Sequence, residues 1–183
     1  WDDMNVQDYI KVYENVVSNN LCDEITTANL DYQPSTFSNH DGTIENSEDS
    51  VIMDDVWITG EHMFYNSLLE CFLKVARLYE KDFPTLQLEK STFFRINKYG
   101  PGGFMSEHTD NIHHSHGQKW GFPHVSALLY LNDDYEGGEF VVAGKEIKPN
   151  KGSSVVFPSN FMYPHEAKKV ISGIRWSIVA WLM

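Results

Sequence analysis

Three well-separated places in the chain carry residues that could act on one metal ion: His108-Thr109-Asp110, His165 and Arg175. Two imidazoles and one carboxylate on one side of an ion leave its other side open. That pattern suits Fe(II) that must also bind exchangeable ligands. In an extended HxD segment, residues i and i+2 point the same way, so His108 and Asp110 can reach one ion together. Histidine content alone does not single these residues out. The stretch SEHTDNIHHSHGQKWGFPH, residues 106–124, holds His108, His113, His114, His116 and His124, five of the eight histidines. His113, His114 and His116 lie in a polar stretch with Gly117 and Gly121 and read as an exposed loop at the mouth of a site. A substrate-contacting lid is the functional alternative for that loop. His124 opens a strand and reads as an edge histidine.

Arg175 lies ten residues beyond His165. Residues 165–170 and 174–182 read as a hairpin around Ile171-Ser172-Gly173, with Gly173 in the left-handed conformation of a three-residue loop. That register pairs His165 with Val179 and puts Arg175 on the same face as His165, about 14 Å away at ~3.4 Å per residue. A five-carbon diacid bound to the metal at one end could span that gap to the guanidinium.

The elements that must position these residues change character along the chain. Residues 8–17 alternate apolar and polar and predict a strand. Ser18 or Asn19 could cap a helix near 20–30, with Asp23 and Glu24 in its first turn. Residues 31–50 are polar and rich in turn formers and read as a long loop. Residues 59–83 carry a helical apolar stripe that includes Leu68, Phe72, Val75 and Tyr79, with Thr59 as its cap and Pro84 as its stop. After residue 90 come short alternating stretches at 91–99, 124–132, 138–143, 152–158, 165–170 and 174–183, each bounded by Gly, Pro, Asn or Asp. Six or more strands so spaced indicate a sandwich or barrel. The expected fold is α+β: a jelly-roll barrel with N-terminal helices packed on one outer face. The expected organisation is one domain, 1–183, with a helical buttress at 1–90 and a jelly-roll core at 91–183.

Four segments together, RINKYGPGGFMSEHTD (95–110), SALLYLNDDYEGGEF (126–140), GSSVVFPSNFMYPHEAKKV (152–170) and GIRWSIVAWL (173–182), resemble the 2-oxoglutarate and Fe(II)-dependent dioxygenases, specifically their prolyl 4-hydroxylase-like group. The resemblance covers residues 91–183. It reaches the front half only through the order strand, helix, long loop, helix. It implies a double-stranded β-helix in which His108, Asp110 and His165 hold Fe(II). It implies that Arg175 binds the far carboxylate of 2-oxoglutarate, that Tyr130 helps to hold it, and that Tyr99 lies near the co-substrate. Ser177 and Trp181 should face inward with Arg175 by strand parity. Trp181 reads equally well as barrel core. The implied reaction consumes 2-oxoglutarate and O2, releases succinate and CO2 and hydroxylates a C–H bond, with ascorbate as reductant. The implied substrate is a prolyl residue in a peptide or protein. A free amino acid or other small metabolite is the alternative, and a non-enzymatic jelly-roll binding module is a third reading.

Charge and composition narrow the partners. Residues 1–73 hold 15 acidic residues and one basic residue, Lys11, giving −14 of the net −12, and the rest of the chain carries +2. Such a surface repels phosphates, which argues against nucleic acid and favours a neutral or basic peptide. Residues 31–58, ahead of the second helix, carry Asp41, Glu45, Glu48, Asp49, Asp54 and Asp55 and no basic residue. No apolar run is long enough to span a bilayer. The two cysteines, Cys22 and Cys71, form no CxxC and read as buried free thiols, which suits a cytoplasmic, reducing compartment.

Overall fold

The computed structural model describes residues 5–38, 44–45, 48–110 and 122–183. A 3-10 turn (Val6–Tyr9) and β1 (Lys11–Tyr13) lead into helix α1 (Asn19–Thr27). Short strands follow: β2 (Gln33–Pro34), β3 (Phe37–Ser38), β4 (Ile44–Glu45) and β5 (Val51–Ile52). Then come β6 (Asp54–Ile58) and helix α2 (Tyr65–Asp82). The remainder is β7 (Phe94–Tyr99), β8 (Phe104–His108), β9 (Val125–Tyr130), β10 (Glu136–Gly137), β11 (Phe140–Val142), β12 (Lys145–Ile147), β13 (Ser154–Pro158), β14 (His165–Ala167), β15 (Val170–Ser172) and β16 (Arg175–Leu182).

Two antiparallel sheets face each other. The major sheet runs β1-β13-β9-β16-β7-β6-β2 and the minor sheet runs β12-β11-β14-β8-β5. Strand parity divides the major sheet into two apolar faces. Along β16, Trp176, Ile178, Ala180 and Leu182 join Leu68, Phe72, Val75 and Tyr79 of α2 and Cys22 and Ile25 of α1 in one cluster. The alternate residues, Val179 and Trp181, face Phe140, Val142 and Phe157 inside the barrel. The helices therefore cover the outer face of the major sheet, and the inner face is free to build a site. This is the α+β double-stranded β-helix.

Four local expectations need correction. The strand expected at 8–17 is a 3-10 turn followed by the three-residue β1, because the Asn5 side chain accepts from Gln7 N–H and caps the turn. Ser18 does cap α1, accepting from Leu21 N–H, but Asp23 and Glu24 fall beyond its first turn. The second helix starts at Tyr65 rather than after Thr59, whose carbonyl instead closes a turn with His62 N–H. The segment 31–50 is not only loop: β2 pairs with β6 and β3 with β4, and just beyond it β6 pairs with β7 over five residues within the major sheet.

The expected hairpin is also absent, and this matters more. β14 pairs with β8 and β11, whereas β16 pairs with β7 and β9. Gly173 does adopt a left-handed φ of 79°. Its turn, however, carries the chain from β15, which pairs with β10, into β16 of the major sheet rather than folding it back onto β14. A Cβ there would meet Asp134 O and Tyr135 Cα, each at 3.1 Å. His165 and Arg175 thus approach the barrel interior from opposite sheets.

Candidate metal and co-substrate site

His108 ends β8, Asp110 lies two residues beyond, and His165 begins β14, with His108 and His165 directly opposite in the ladder. This register, set by two neighbouring strands, brings together residues 57 positions apart. The His108 Nε2–Asp110 Oδ1 distance is 3.6 Å and the His165 Nε2–Asp110 Oδ2 distance is 3.4 Å. One ligand atom from each of the three residues lies within 4.8 Å of the others.

The other ring nitrogens fix the tautomers. His108 Nδ1 is 2.8 Å from Ser106 O, and His165 Nδ1 is 3.1 Å from Tyr163 O. A carbonyl only accepts, so each Nδ1 carries the proton and each Nε2 offers a lone pair. Asp110 is oriented as well: Ser126 Oγ donates to Asp110 Oδ2 at 2.6 Å, and Ser159 Oγ lies 2.8 Å from Ser126 Oγ. Burial, with His165 adding to it, pulls the His108 pKa down to about 4, so its imidazole is neutral. Burial also works against a charge on His165, but the adjacent Asp110 carboxylate outweighs it and raises the pKa. A dication competes with that proton for the same Nε2. Two oriented imidazoles and a buried carboxylate fit Fe(II) with positions left over.

Arg175 enters the same cavity from the major sheet and is 1% exposed. Its Nη2 donates to Tyr130 Oη at 2.9 Å, and its Nη1 is 3.5 Å from Ser177 Oγ. The guanidinium carbon lies 4.8 Å from the Tyr99 ring centroid and 5.1 Å from that of Tyr130. Burial alone would lower its pKa, but the surrounding phenols of Tyr130, Tyr99 and Tyr135 more than offset this, so it stays a cation. Its Nε is buried with no partner, and no described carboxylate pairs with it. A buried cation without a counter-ion is costly unless a ligand supplies one. A dicarboxylate reaching from the metal to Arg175 would do so, and the residues present fit 2-oxoglutarate.

The cavity lining joins the expected residues with several others: His108, Asp110, His165, Arg175, Tyr99 and Trp181 line it together with Arg95, Asn97 and Phe140. Tyr130 and Ser177 reach it through Arg175. Sequence reasoning missed Ser126, Ser159, Tyr135 and Arg95. Ser126 carried a signal, as a polar residue on the inward parity of the otherwise apolar β9. Gly138 was also missed. It has a φ of 65°, and a Cβ there would stand 3.1 Å from Arg175 Cδ, so it makes room for the arginine stem. His124 is exposed but is not the edge histidine expected: it lies just ahead of β9, a strand flanked by β13 and β16, and its backbone N–H donates to Leu182 O while its carbonyl accepts from Ser159 N–H. The loop carrying His113, His114 and His116 lies outside the described residues.

Comparison with known proteins agrees with this geometry. The 2OG-Fe(II) oxygenase superfamily matches residues 94–183. Prolyl 3-hydroxylase 2 of Homo sapiens is 40% identical over 67 residues, 33% of this chain and 10% of that protein. A PKHD-type hydroxylase of Crocosphaera subtropica is 35% identical over 94 residues, 48% of this chain and 41% of that protein. The chain therefore matches well under half the length of these curated relatives. In fold, a Pseudomonas putida prolyl-4-hydroxylase superposes with a TM-score of 0.69 at 21% identity, covering 95% of this chain and 91% of the other. A Trichoplax adhaerens prolyl hydroxylase, solved with a hypoxia inducible factor peptide fragment, gives 0.74 at 16% identity, covering 96% and 83%. The matching family, the barrel and the two-histidine, one-carboxylate cluster all agree, and residues 94–183 belong to the 2OG-Fe(II) oxygenase superfamily.

Proposed function

We propose that this chain is a single catalytic unit that hydroxylates a prolyl residue of a peptide or protein, converting 2-oxoglutarate, O2 and R–H to succinate, CO2 and R–OH. The observation that carries the reading is one cavity lined by the His108–Asp110–His165 cluster and by a buried Arg175 that has no acid partner among the described residues. Iron, when bound, supplies the oxidation.

The chain's own part is to bind and orient. His108 and His165 present Nε2 because Ser106 and Tyr163 carbonyls hold their Nδ1–H groups. Asp110 is held by Ser126. Arg175, with Tyr130, takes the far carboxylate of the co-substrate and sets which end faces the metal. Tyr99, Phe140 and Trp181 wall the cavity and keep bulk water out. Ascorbate serves as the external reductant. The free, buried Cys22 and Cys71 fit a reducing, cytoplasmic compartment.

Relatives that are prolyl hydroxylases support the choice of substrate. The acidic front segment favours neutral or basic flanks around the target residue. Neutralising Asp49, Asp54 and Asp55 together should weaken turnover of a Lys-flanked peptide; unchanged turnover would remove this preference. The substrate class is tested with proline-containing peptides, measuring succinate release and the gain of one oxygen atom in the peptide. Peptide-stimulated, stoichiometric succinate is expected. Stimulation by free amino acids and by no peptide would replace the peptidyl reading with the small-metabolite one.

A further inference from the structure

The cavity contains a second arginine that the chemistry above does not use. Arg95, on β7, shares the inward face with Asn97 and Tyr99 and is half-buried. In the ladder, Tyr99 stands opposite Arg175 and Arg95 opposite Val179. Arg95 is thus four residues, about 14 Å, further along the strand than the Arg175 end. Its guanidinium carbon lies 5.3 Å from the Trp181 ring centroid and 5.8 Å from that of Trp57, whose rings are themselves 6.3 Å apart. Two indoles therefore hold the cation over their faces and leave its edge to be used.

That edge has no taker among the described residues. Arg95 Nε is buried without a partner, and no described acid comes within ion-pair distance of Arg95. Asp55 faces the same side, opposite Asn97, yet it forms no ion pair with Arg95 and does not line the cavity. Next to Arg95, Asn97 Oδ1 is a second buried polar atom without a partner. In a chain of 26 acidic residues, an arginine that lines the cavity and lacks an acid stands out against the general charge balance. The reaction's own groups do not neutralise it. Dipositive iron and Arg175 balance Asp110 and dianionic 2-oxoglutarate, leaving the Arg95 charge over.

We propose that Arg95 is a specificity-determining residue whose guanidinium, supported by Trp57 and Trp181, binds a carboxylate of the substrate to be hydroxylated. This rests on the reading of the cavity as the iron and 2-oxoglutarate site. The carboxylate could belong to an Asp or Glu beside the target residue in a peptide, or to a free amino acid.

The test is a binding titration under anaerobic conditions with Fe(II) and 2-oxoglutarate, read by quenching of tryptophan fluorescence, so no turnover is required. One arm compares blocked tetrapeptides with Pro-Asp or Asp-Pro against their Asn counterparts. The other compares L-proline with L-prolinamide. The acid member of at least one arm should bind about 10–100-fold more tightly, the range for a charge-assisted pair. Arg95→Gln should bring that ratio to within about twofold, and Arg95→Lys, which keeps the charge but loses the planar fork, should give an intermediate ratio. Either arm supports the proposal, and preference confined to free proline would also displace the peptidyl reading. A ratio near one in both arms of the wild type overturns it. So does a preference that survives in Arg95→Gln or is undiminished in Arg95→Lys, or a failure of every carboxylate probe to bind at tens of millimolar. Failure of the underlying reading would appear separately, as absent succinate formation whatever residue stands at position 95.

Discussion

The two ends of the barrel cavity hold the same functional group in opposite states of completion. At the inner end, Arg175 is almost fully buried, hydrogen-bonded to Tyr130 and packed on Tyr99. At the outer end, Arg95 rests on Trp57 and Trp181 and makes no ion pair among the described residues. On the proposed reading, the inner site is pre-organised around one invariable ligand, the co-substrate, so the protein can commit its own phenols to it. On the same reading, the outer site admits and releases the variable partner, and Arg95 Nε and Asn97 Oδ1 are left for that partner to satisfy. His108 and His165 of the cluster lie on the minor sheet, and Asp110, two residues beyond β8, is held by Ser126 of the major sheet.

The largest effect should come from the metal cluster that both ends serve. His165→Ala should abolish succinate formation and weaken Fe(II) binding by more than the roughly 10–100-fold typical of losing an outer-shell partner. Equilibrium titration of the metal checks it, and retained affinity would detach His165 from the cluster. Next, Arg175→Gln should raise the 2-oxoglutarate KM by about 30- to 1,000-fold, the cost of removing one partner of a buried charge pair, while Fe(II) affinity stays close to wild type. If iron affinity falls as far as co-substrate affinity, the inner end is not a separate co-substrate site.

Ser126→Ala should show the converse. It removes the Ser126 hydrogen bond that orients Asp110 and should lower Fe(II) affinity by about 10-fold, with little change in 2-oxoglutarate KM at saturating metal. Tyr130→Phe removes one hydrogen bond from Arg175 and should raise the 2-oxoglutarate KM by only about 2- to 10-fold. The smallest effect lies outside the cavity. Burial pushes the Cys22 thiol up to about 11. The folded state holds that proton after the unfolded chain has lost it, so the thiol's contribution is complete below pH 9 and is lost as pH rises through 11. Thermal melts should therefore lose less stability between pH 9 and 11 in Cys22→Ala than in wild type.

The cluster was legible in the sequence because its signals are local. HxD places two donors on one face of an extended segment, and the second histidine precedes an arginine at fixed distance. The reason for that distance was not legible. Spacing alone allowed a hairpin that would have placed His165 and Arg175 on one sheet, and only the strand partners show that Gly173 turns the chain between sheets. β6 was hidden for a different reason. Asp54 and Asp55 sit at half-buried positions near the sheet's edge, where carboxylates reach water and apolar periodicity fails. Helix α2 was recognisable by its stripe, but its start was not, since Phe64 caps it without a side-chain hydrogen bond. Arg95 carried no sequence signal at all. Its meaning depends on two tryptophans, one 38 positions before it and one 86 after.

The central claim is that one cavity couples iron at the histidine–aspartate cluster to 2-oxoglutarate at Arg175. Its most direct test is succinate formation from 2-oxoglutarate with Fe(II), O2 and ascorbate, measured side by side in wild type, His165→Ala and Arg175→Gln. Turnover in wild type, none in His165→Ala, and turnover recovered in Arg175→Gln only at much higher 2-oxoglutarate is the predicted result. Absence of turnover in iron-loaded wild type, or the same 2-oxoglutarate dependence with and without Arg175, would contradict it.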